Sequence, residues 1–293
     1  MSSGDKNSLV HPGDILAAVR AIHGPAVRVL GLDVKQGTET IQGFASLMLR
    51  AKVTVKTAHG ENKVVSVMVK RKPASAAHAA MMDAMGNIIA RESAFFNIAL
   101  PRLLQKCPDL PIVKTLVSHD EAILMEDLCE AGFETLTKNY VDIVRKGALT
   151  YPIAVMIVRK LAKFHAASLG HDWKNIMPAG YFEPDPMLEG PSSEHFKGFI
   201  NATIQNMIIP IMKKIYLDTP SIEDYIAYMS SPQFFDNILQ FIKYDATFTP
   251  NVLLHGDCHL NNVMFKVINS IECDIFSTIK VNFFMKLINY TEN

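Results

Sequence analysis

Residues 252–266 read VLLHGDCHLNNVMFK, and the rest of the chain is organised around this stretch. Apolar Val252, Leu253 and Leu254 run into a polar cluster of His255, Gly256, Asp257, His259, Asn261 and Asn262, after which Val263, Met264 and Phe265 are apolar again. The pattern predicts a loop between two short strands that presents polar groups at a cleft. Taken singly, His, Asp and Asn in a loop are ordinarily turn or capping residues. The string as a whole needs more than that. Asp257 and His259 form a DxH pair of the kind that opens a dinuclear phosphoesterase site. Such a site draws further His, Asp and Asn ligands from later strands, and the 34 residues after His259 contain no histidine.

Composition sets the outer bounds. With 293 residues, 49% of them hydrophobic and 20% charged, the chain can bury a large core as one large domain or two lobes. The 29 basic and 29 acidic residues balance, so no broad basic surface for nucleic acid is expected, and a small molecule or a protein is the expected partner. Cys107, Cys129, Cys258 and Cys273 are scattered without a CxxC pair, as in a reducing compartment. The first residues, MSSGDKNSLVHPGD, contain no apolar run of signal-peptide type, and a cytosolic protein is expected. Phe199 to Leu217 is too interrupted by polar residues to span a membrane. It reads as a core helix kinked at Pro210.

In chain order, Asp14 to His23 has helical apolar spacing and stops at Gly24 and Pro25. Three strands are expected over Arg28–Val34, Phe44–Lys56 and Lys63–Lys72. In the third, Val65, Val67 and Val69 face one way and Ser66, Met68 and Lys70 the other. Gly37 to Ser46, GTETIQGFAS, is too poor in glycine to be a phosphate loop on its own terms, and an ordinary hairpin turn accounts for it. Ser75 to Met85 is rich in Ala and Met, and Ile88 to Leu104 reads as a helix carrying Glu92. Pro111–Ser118 and Glu121–Leu128 complete an antiparallel sheet of about five strands. A linker is expected at Cys129 to Gly132, and beyond it the chain turns helical. Pro152 to Leu169 is closed by Gly170 and carries His165 as a core histidine, and Ser221 to Tyr244 opens with the capping-box-like SIED.

The spacing in the opening stretch resembles the catalytic loop of protein kinases, in which Asn follows Asp at five residues as Asn262 follows Asp257. There the Asp accepts the proton of the attacking hydroxyl and the Asn holds magnesium. Order supports the comparison: a strand Lys, Lys70, then a helix Glu, Glu92, both ahead of the loop, with the Gly37–Ser46 turn where a kinase places its phosphate-covering loop. Particular strings are similar to a narrower group, the ecdysteroid-kinase-like and choline-kinase-like small-molecule kinases, which are relatives of aminoglycoside phosphotransferases. The strings are ARESAFFNIALPRL from Ala90, ILMEDLCEAGF from Ile123, LAKFHAASL from Leu161 and LLHGDCHLNNVMFK from Leu253. The likeness covers about Gly31 to Lys266.

The resemblance implies an α+β, protein-kinase-like two-lobed fold, with a mostly β N-lobe over residues 1–128 and a helical C-lobe over 129–293. It implies ATP-dependent phosphorylation of a hydroxyl on a small steroid- or choline-like alcohol, with Asp257 as base, His255 bracing the loop and Asn262 on Mg2+. Lys70 would hold the phosphates, Glu92 would hold Lys70, and backbone groups around Glu126 and Leu128 would meet the adenine. After Lys266 the chain departs from the family, whose members continue into an IDFQ-like string with a magnesium-binding Asp and then further helices. Asp274, in CDIF, is the one candidate for that carboxylate. A shortened, helically incomplete C-lobe is therefore expected. The alternative function is an inactive pseudokinase that binds nucleotide, a ligand or a partner protein.

Overall fold

The computed structural model describes residues 6–37, 46–73, 75, 87–136, 149–182, 191–216, 220–234, 236–237, 251–256, 258, 260–269, 272–276 and 287–289. Asp257 and His259, the interior of the Gly37–Ser46 turn and nearly all of Ser75–Met85 lie outside the described residues.

Strand alternation builds the first layer. β1 (Arg28–Gln36), β2 (Leu47–Lys56), β3 (Asn62–Arg71), β4 (Thr115–His119) and β5 (Ala122–Glu126) form one sheet in the order β1-β2-β3-β5-β4, antiparallel throughout. On β3 the two-residue period divides the side chains as expected. Val65, Val67 and Val69 join a core with Val34, Ala51, Val53 and Leu124, which helix α1 (Pro12–His23) covers with Ile15, Ala18 and Val19. Met68 packs into a second core on the other face.

That second core holds the largest fully buried side chains among the described residues, Trp173, Phe95 and Phe164. It gathers Phe95, Phe96 and Leu103 from the helical run after β3, Ile123 and Met125 from β5, and Phe164, Trp173, Tyr181 and Leu253 from beyond the linker. The run comprises α2 (Ile88–Ala94), a π-turn (Phe95–Ala99) and α3 (Leu100–Lys106), and Leu100 N–H reaches back five residues to the Phe95 carbonyl. The wide turn explains why Pro101, which has no N–H to donate, is accommodated without ending the helix.

Three expectations are corrected here. The strand expected over Pro111–Ser118 begins only at Thr115, because Ile112 N–H turns back to the Leu110 carbonyl at 2.8 Å instead of pairing across the sheet. The segment expected as a core helix is α6 (Pro191–Thr203), a π-turn (Ile204–Ile208) and α7 (Ile209–Ile215), with Pro210 in the first turn of α7. Phe199, Met207 and Ile211 are 66, 54 and 49% exposed, and the helical period buries Ile204 and Ile209, with Ile200 and Ile208 partly buried beside them, against Ile226 of α8 (Ile222–Met229). The SIED capping box does not form either. Ser221 is left-handed, with φ of 67°, and its side chain makes no capping bond, so the backbone carbonyl takes the Asp224 and Tyr225 N–H groups instead.

Beyond the linker, a short strand β6 (Glu134–Thr135) is followed by the long α4 (Tyr151–Ser168) and the single turn α5 (Trp173–Ile176). Strand β7 (Asn251–Leu253) leads into the 255–262 loop, and a hairpin of β8 (Met264–Asn269) and β9 (Glu272–Phe276) leads out. β6 pairs with β8, so the chain leaving the linker is hydrogen-bonded to the strand that follows the loop. β10 (Leu287–Asn289) returns to pair with β7. Among the described residues no helix is long and apolar enough to cross a membrane, and Cys107, Cys129 and Cys258 form no disulfide.

Candidate active site

β3 and α2 bring together two residues 22 positions apart. Lys70 lies on the α2 side of β3, and the Asn87 side chain caps α2 by accepting from Ala90 N–H at 3.3 Å, which starts the helix so that Glu92 falls on its inner face. Lys70 Nζ lies 2.5 Å from Glu92 Oε1, with 4 and 1% of the respective side chains exposed. A buried pair of this kind loses hydration on both charges, and the attraction restores it only where the remaining lone pairs are also satisfied. Here they are not: Glu92 Oε2 is buried and has no hydrogen-bond partner among the described residues. Burial accordingly pushes the Glu92 carboxyl up to about 7, against the opposing pull of Lys70.

The loop is positioned from the helical side. Ser168, fully buried at the end of α4, donates its hydroxyl to the His165 carbonyl at 2.7 Å and accepts Leu253 N–H at 2.9 Å. Its own carbonyl takes the Trp173 indole N–H at 2.7 Å. One serine thus ties α4, α5 and β7 together immediately before the loop. His255 and Asn262, at the loop's two ends, are 2 and 3% exposed. Gly256 has φ of 75°, a conformation that favours glycine, and Leu260–Asn262 forms a 3-10 turn closed by Val263 N–H on the Leu260 carbonyl. Burial lowers the pKa of His165, so this helix histidine is biased toward its neutral form.

The linker contains a second buried anion, which the sequence reading missed. Asp127, 5% exposed, accepts from Arg50 Nε of β2 at 2.7 Å and Nη2 at 3.4 Å, from Ser66 Oγ of β3 at 2.6 Å and from Cys129 N–H at 3.2 Å. The available signal was the acidic pair Glu126 and Asp127 directly after the apolar AILM of β5, with Arg50 on β2, one strand beyond β5's neighbour β3. Glu126 is engaged within the chain, its N–H on the Lys114 carbonyl and its carboxylate accepting Lys114 N–H, both at 3.1 Å. The Leu128 carbonyl accepts from Ala131 and Phe133 N–H. These bonds turn the linker back so that Phe133 packs in the core and under Lys266 Nζ, 5.6 Å from its ring centre. A cavity of about 820 Å³ lined in part by Phe96, Ile112, Thr115, Glu126 and Lys160 opens beside the linker, and neither Lys70 nor the loop lines it.

The hairpin after the loop fixes where Asp274 stands. Its register pairs Met264 with Phe276 and Lys266 with Asp274. The residue across from the start of β8, where the chain leaves the Asn262 turn, is therefore Phe276. Asp274 is two pairs further along, roughly 7 Å at the usual rise per strand residue.

An antiparallel sheet with a buried Lys–Glu pair, a linker, a helical region and a loop rooted on a helix define the protein-kinase-like fold. The sequence model of the ecdysteroid kinase-like family matches residues 40–276, and the chain belongs to that family. The match runs past Lys266 and takes in Asp274, so the likeness extends further than the motif strings alone indicated. A search of curated proteins returned no match.

Proposed function

We propose that the chain is an ATP-dependent phosphotransferase that acts on the hydroxyl of a small organic alcohol of steroid- or choline-like kind. The observation that carries the reading is the Lys70–Glu92 pair, a cation held in a buried site by a carboxylate from a second element. Phosphoryl transfer asks little covalent chemistry of a protein and much positioning and charge stabilisation, which such a lysine serves. In this reading Lys70 binds phosphate oxygens, Glu92 keeps Lys70 in place, Asp257 accepts the proton of the attacking hydroxyl and buried His255 braces the loop. The linker at Glu126 and Leu128 flanks the adenine. Asn262 offers a neutral amide oxygen, and with Asp274 or Asp257 makes an all-oxygen donor set, the kind that suits Mg2+. ATP would supply the transferable phosphoryl group and Mg2+ would offset its charge.

A second reading, an inactive relative that binds nucleotide or a partner, is favoured by the hairpin register, because Asp274 lies two pairs beyond the start of β8. Magnesium-dependent ATP consumption with a panel of steroid-like and choline-like alcohols separates the two. Asp257→Asn keeps size and hydrogen bonding while removing the proton acceptor, and it is expected to lower turnover by about 10² to 10⁴ with little change in ATP affinity. Undiminished turnover in that variant removes Asp257 from the mechanism, and no ATP consumption with any acceptor favours the second reading.

A further inference from the structure

Glu92 has one oxygen on Lys70 and one oxygen, Oε2, that is buried with no partner among the described residues. The same core contains a second unsatisfied group of the complementary kind. Tyr181, in the segment after α5, is 5% exposed, and its hydroxyl is likewise buried without a hydrogen-bond partner among the described residues. An orphaned donor and an orphaned acceptor in one core are each costly, and one buried water that bonds both removes the two costs together.

The two groups border one core, Tyr181 as a member of it and Glu92 on the helix that runs into Phe95 and Phe96. The phenol pKa is raised, first by burial and then by the negative charge of Glu92, with Arg91 opposing. Tyr181 is also held in place. Its N–H bonds the Pro178 carbonyl at 3.0 Å, its ring lies edge-on to Phe182 at 4.9 Å, and it shares the core with Phe95 and Phe96, which directly follow the helix carrying Glu92.

We infer that Tyr181 is a positioning residue whose hydroxyl hydrogen-bonds Glu92 Oε2 through one buried water, and so holds the carboxylate ionised and aimed at Lys70. The residue comes from beyond the linker, so the bond makes the Lys70–Glu92 pair depend on the helical region's seating against the sheet. A carboxylate that accepts a second hydrogen bond is favoured in its charged form. The described charge that acts on it is Lys70 of β3, while Arg91, beside it on α2, acts on the phenol of Tyr181, the neutral donor. The consequence for catalysis rests on the phosphotransferase reading; the hydrogen bond itself does not.

The test begins with the pH dependence of thermal stability of the whole chain, which needs no activity. A carboxyl whose folded pKa is raised from 4.5 to about 7 binds more proton folded than unfolded in that window, so its stability contribution is present below it and lost as pH rises through it. Glu92→Gln is expected to abolish that loss. Tyr181→Phe, which removes only the hydroxyl, is expected to move its upper end to higher pH by about one unit, and to have no pH-dependent effect in the Glu92→Gln background. A fluorinated tyrosine at 181, a stronger donor in the same ring, is expected to shift it the other way, and decides the matter should the phenylalanine variant fail to fold. Identical profiles for the wild type and both ring variants overturn the inference, as does a Tyr181→Phe shift that persists in the Glu92→Gln background. In an active preparation, Tyr181→Phe is also expected to raise the acid limb of the kcat/KM profile. The pH shift without phosphoryl transfer by any variant upholds the inference while sinking the phosphotransferase reading, and robust transfer with no pH shift does the reverse.

Discussion

Two buried ion pairs lie on neighbouring parts of one sheet and are built in opposite ways. Asp127 has every acceptor position engaged: Oδ2 takes Arg50 Nε and Ser66 Oγ, and Oδ1 takes Arg50 Nη2 and Cys129 N–H. Glu92 has a single charged donor on one oxygen, and burial lifts its carboxyl to about 7. The guanidinium is a planar fork that matches a carboxylate, whereas the ammonium is a point charge whose direction its partner must define. Arg50 is also partly solvated at 29% side-chain exposure, while Lys70 is enclosed at 4%. A fully satisfied pair suits a structural joint, here one that fastens the linker to β2 and β3. Burying a carboxylate with one oxygen unsatisfied is costly, and a purely structural joint does not require it.

The largest effect is therefore expected at Asp127. Asp127→Ala removes the centre of the joint and leaves Arg50, Ser66 and the Cys129 N–H without their acceptor. Breaking a buried pair by deleting one partner costs about 3–5 kcal/mol, and the lower end applies because Arg50 still reaches water. Urea denaturation measures this as a lower midpoint. A change below about 1 kcal/mol would make Asp127 an ordinary surface-type pair.

The site pair is expected to show its importance in function before stability. Lys70→Ala is expected to weaken ATP binding or turnover, and Glu92→Ala to do less by itself and little more when combined, because both act through one contact. The resulting coupling energy falls in the range of about 0.5–3 kcal/mol usual for touching residues. Replacing both, Lys70→Met with Glu92→Leu, is expected to leave stability unchanged or improved, since apolar residues of similar volume often outperform a buried ion pair. Additive losses in the ATP assay would separate the two residues, and a large stability loss in the apolar double variant would make this pair structural too.

Much of this arrangement was legible in the sequence wherever one local period decides it. The two-residue alternation of β3 put Lys70 on the face away from Val67 and Val69, and helical spacing put Glu92 on the element that covers that face. The polar string from His255 marked the loop. What was not legible depends on partners far apart in the chain. Asp127 reads as the end of an apolar strand until Arg50 and Ser66 are brought beside it. Ser168 reads as a helix end until Leu253, 85 residues later, donates to it. Tyr181 has no local pattern, because its meaning comes from a carboxylate 89 positions earlier on another element. Local rules also misled where tertiary geometry overrode them, as when Ser221 took a left-handed conformation and gave up the capping role that SIED offers.

The smallest expected effect sharpens the comparison most, because it asks how far the Asp127 joint depends on its full complement of donors. Ser66→Ala removes the hydroxyl that donates to Oδ2 at 2.6 Å and leaves Arg50 Nε on the same oxygen. A hydrogen bond to a charged acceptor contributes about 1.5–3 kcal/mol, but the carboxylate here keeps three donors, so a cost of about 1 kcal/mol is expected. Urea denaturation should show a small fall in midpoint with an unchanged slope, since the same surface is exposed on unfolding. ATP affinity should not move, because Ser66 faces the linker joint and Lys70 keeps Glu92. A loss as large as that of Asp127→Ala would mean that Ser66, and not the guanidinium, sets the carboxylate's position. A loss of ATP affinity would mean that the joint and the site form one coupled network across β3, and the contrast between a finished pair and an unfinished one would no longer hold.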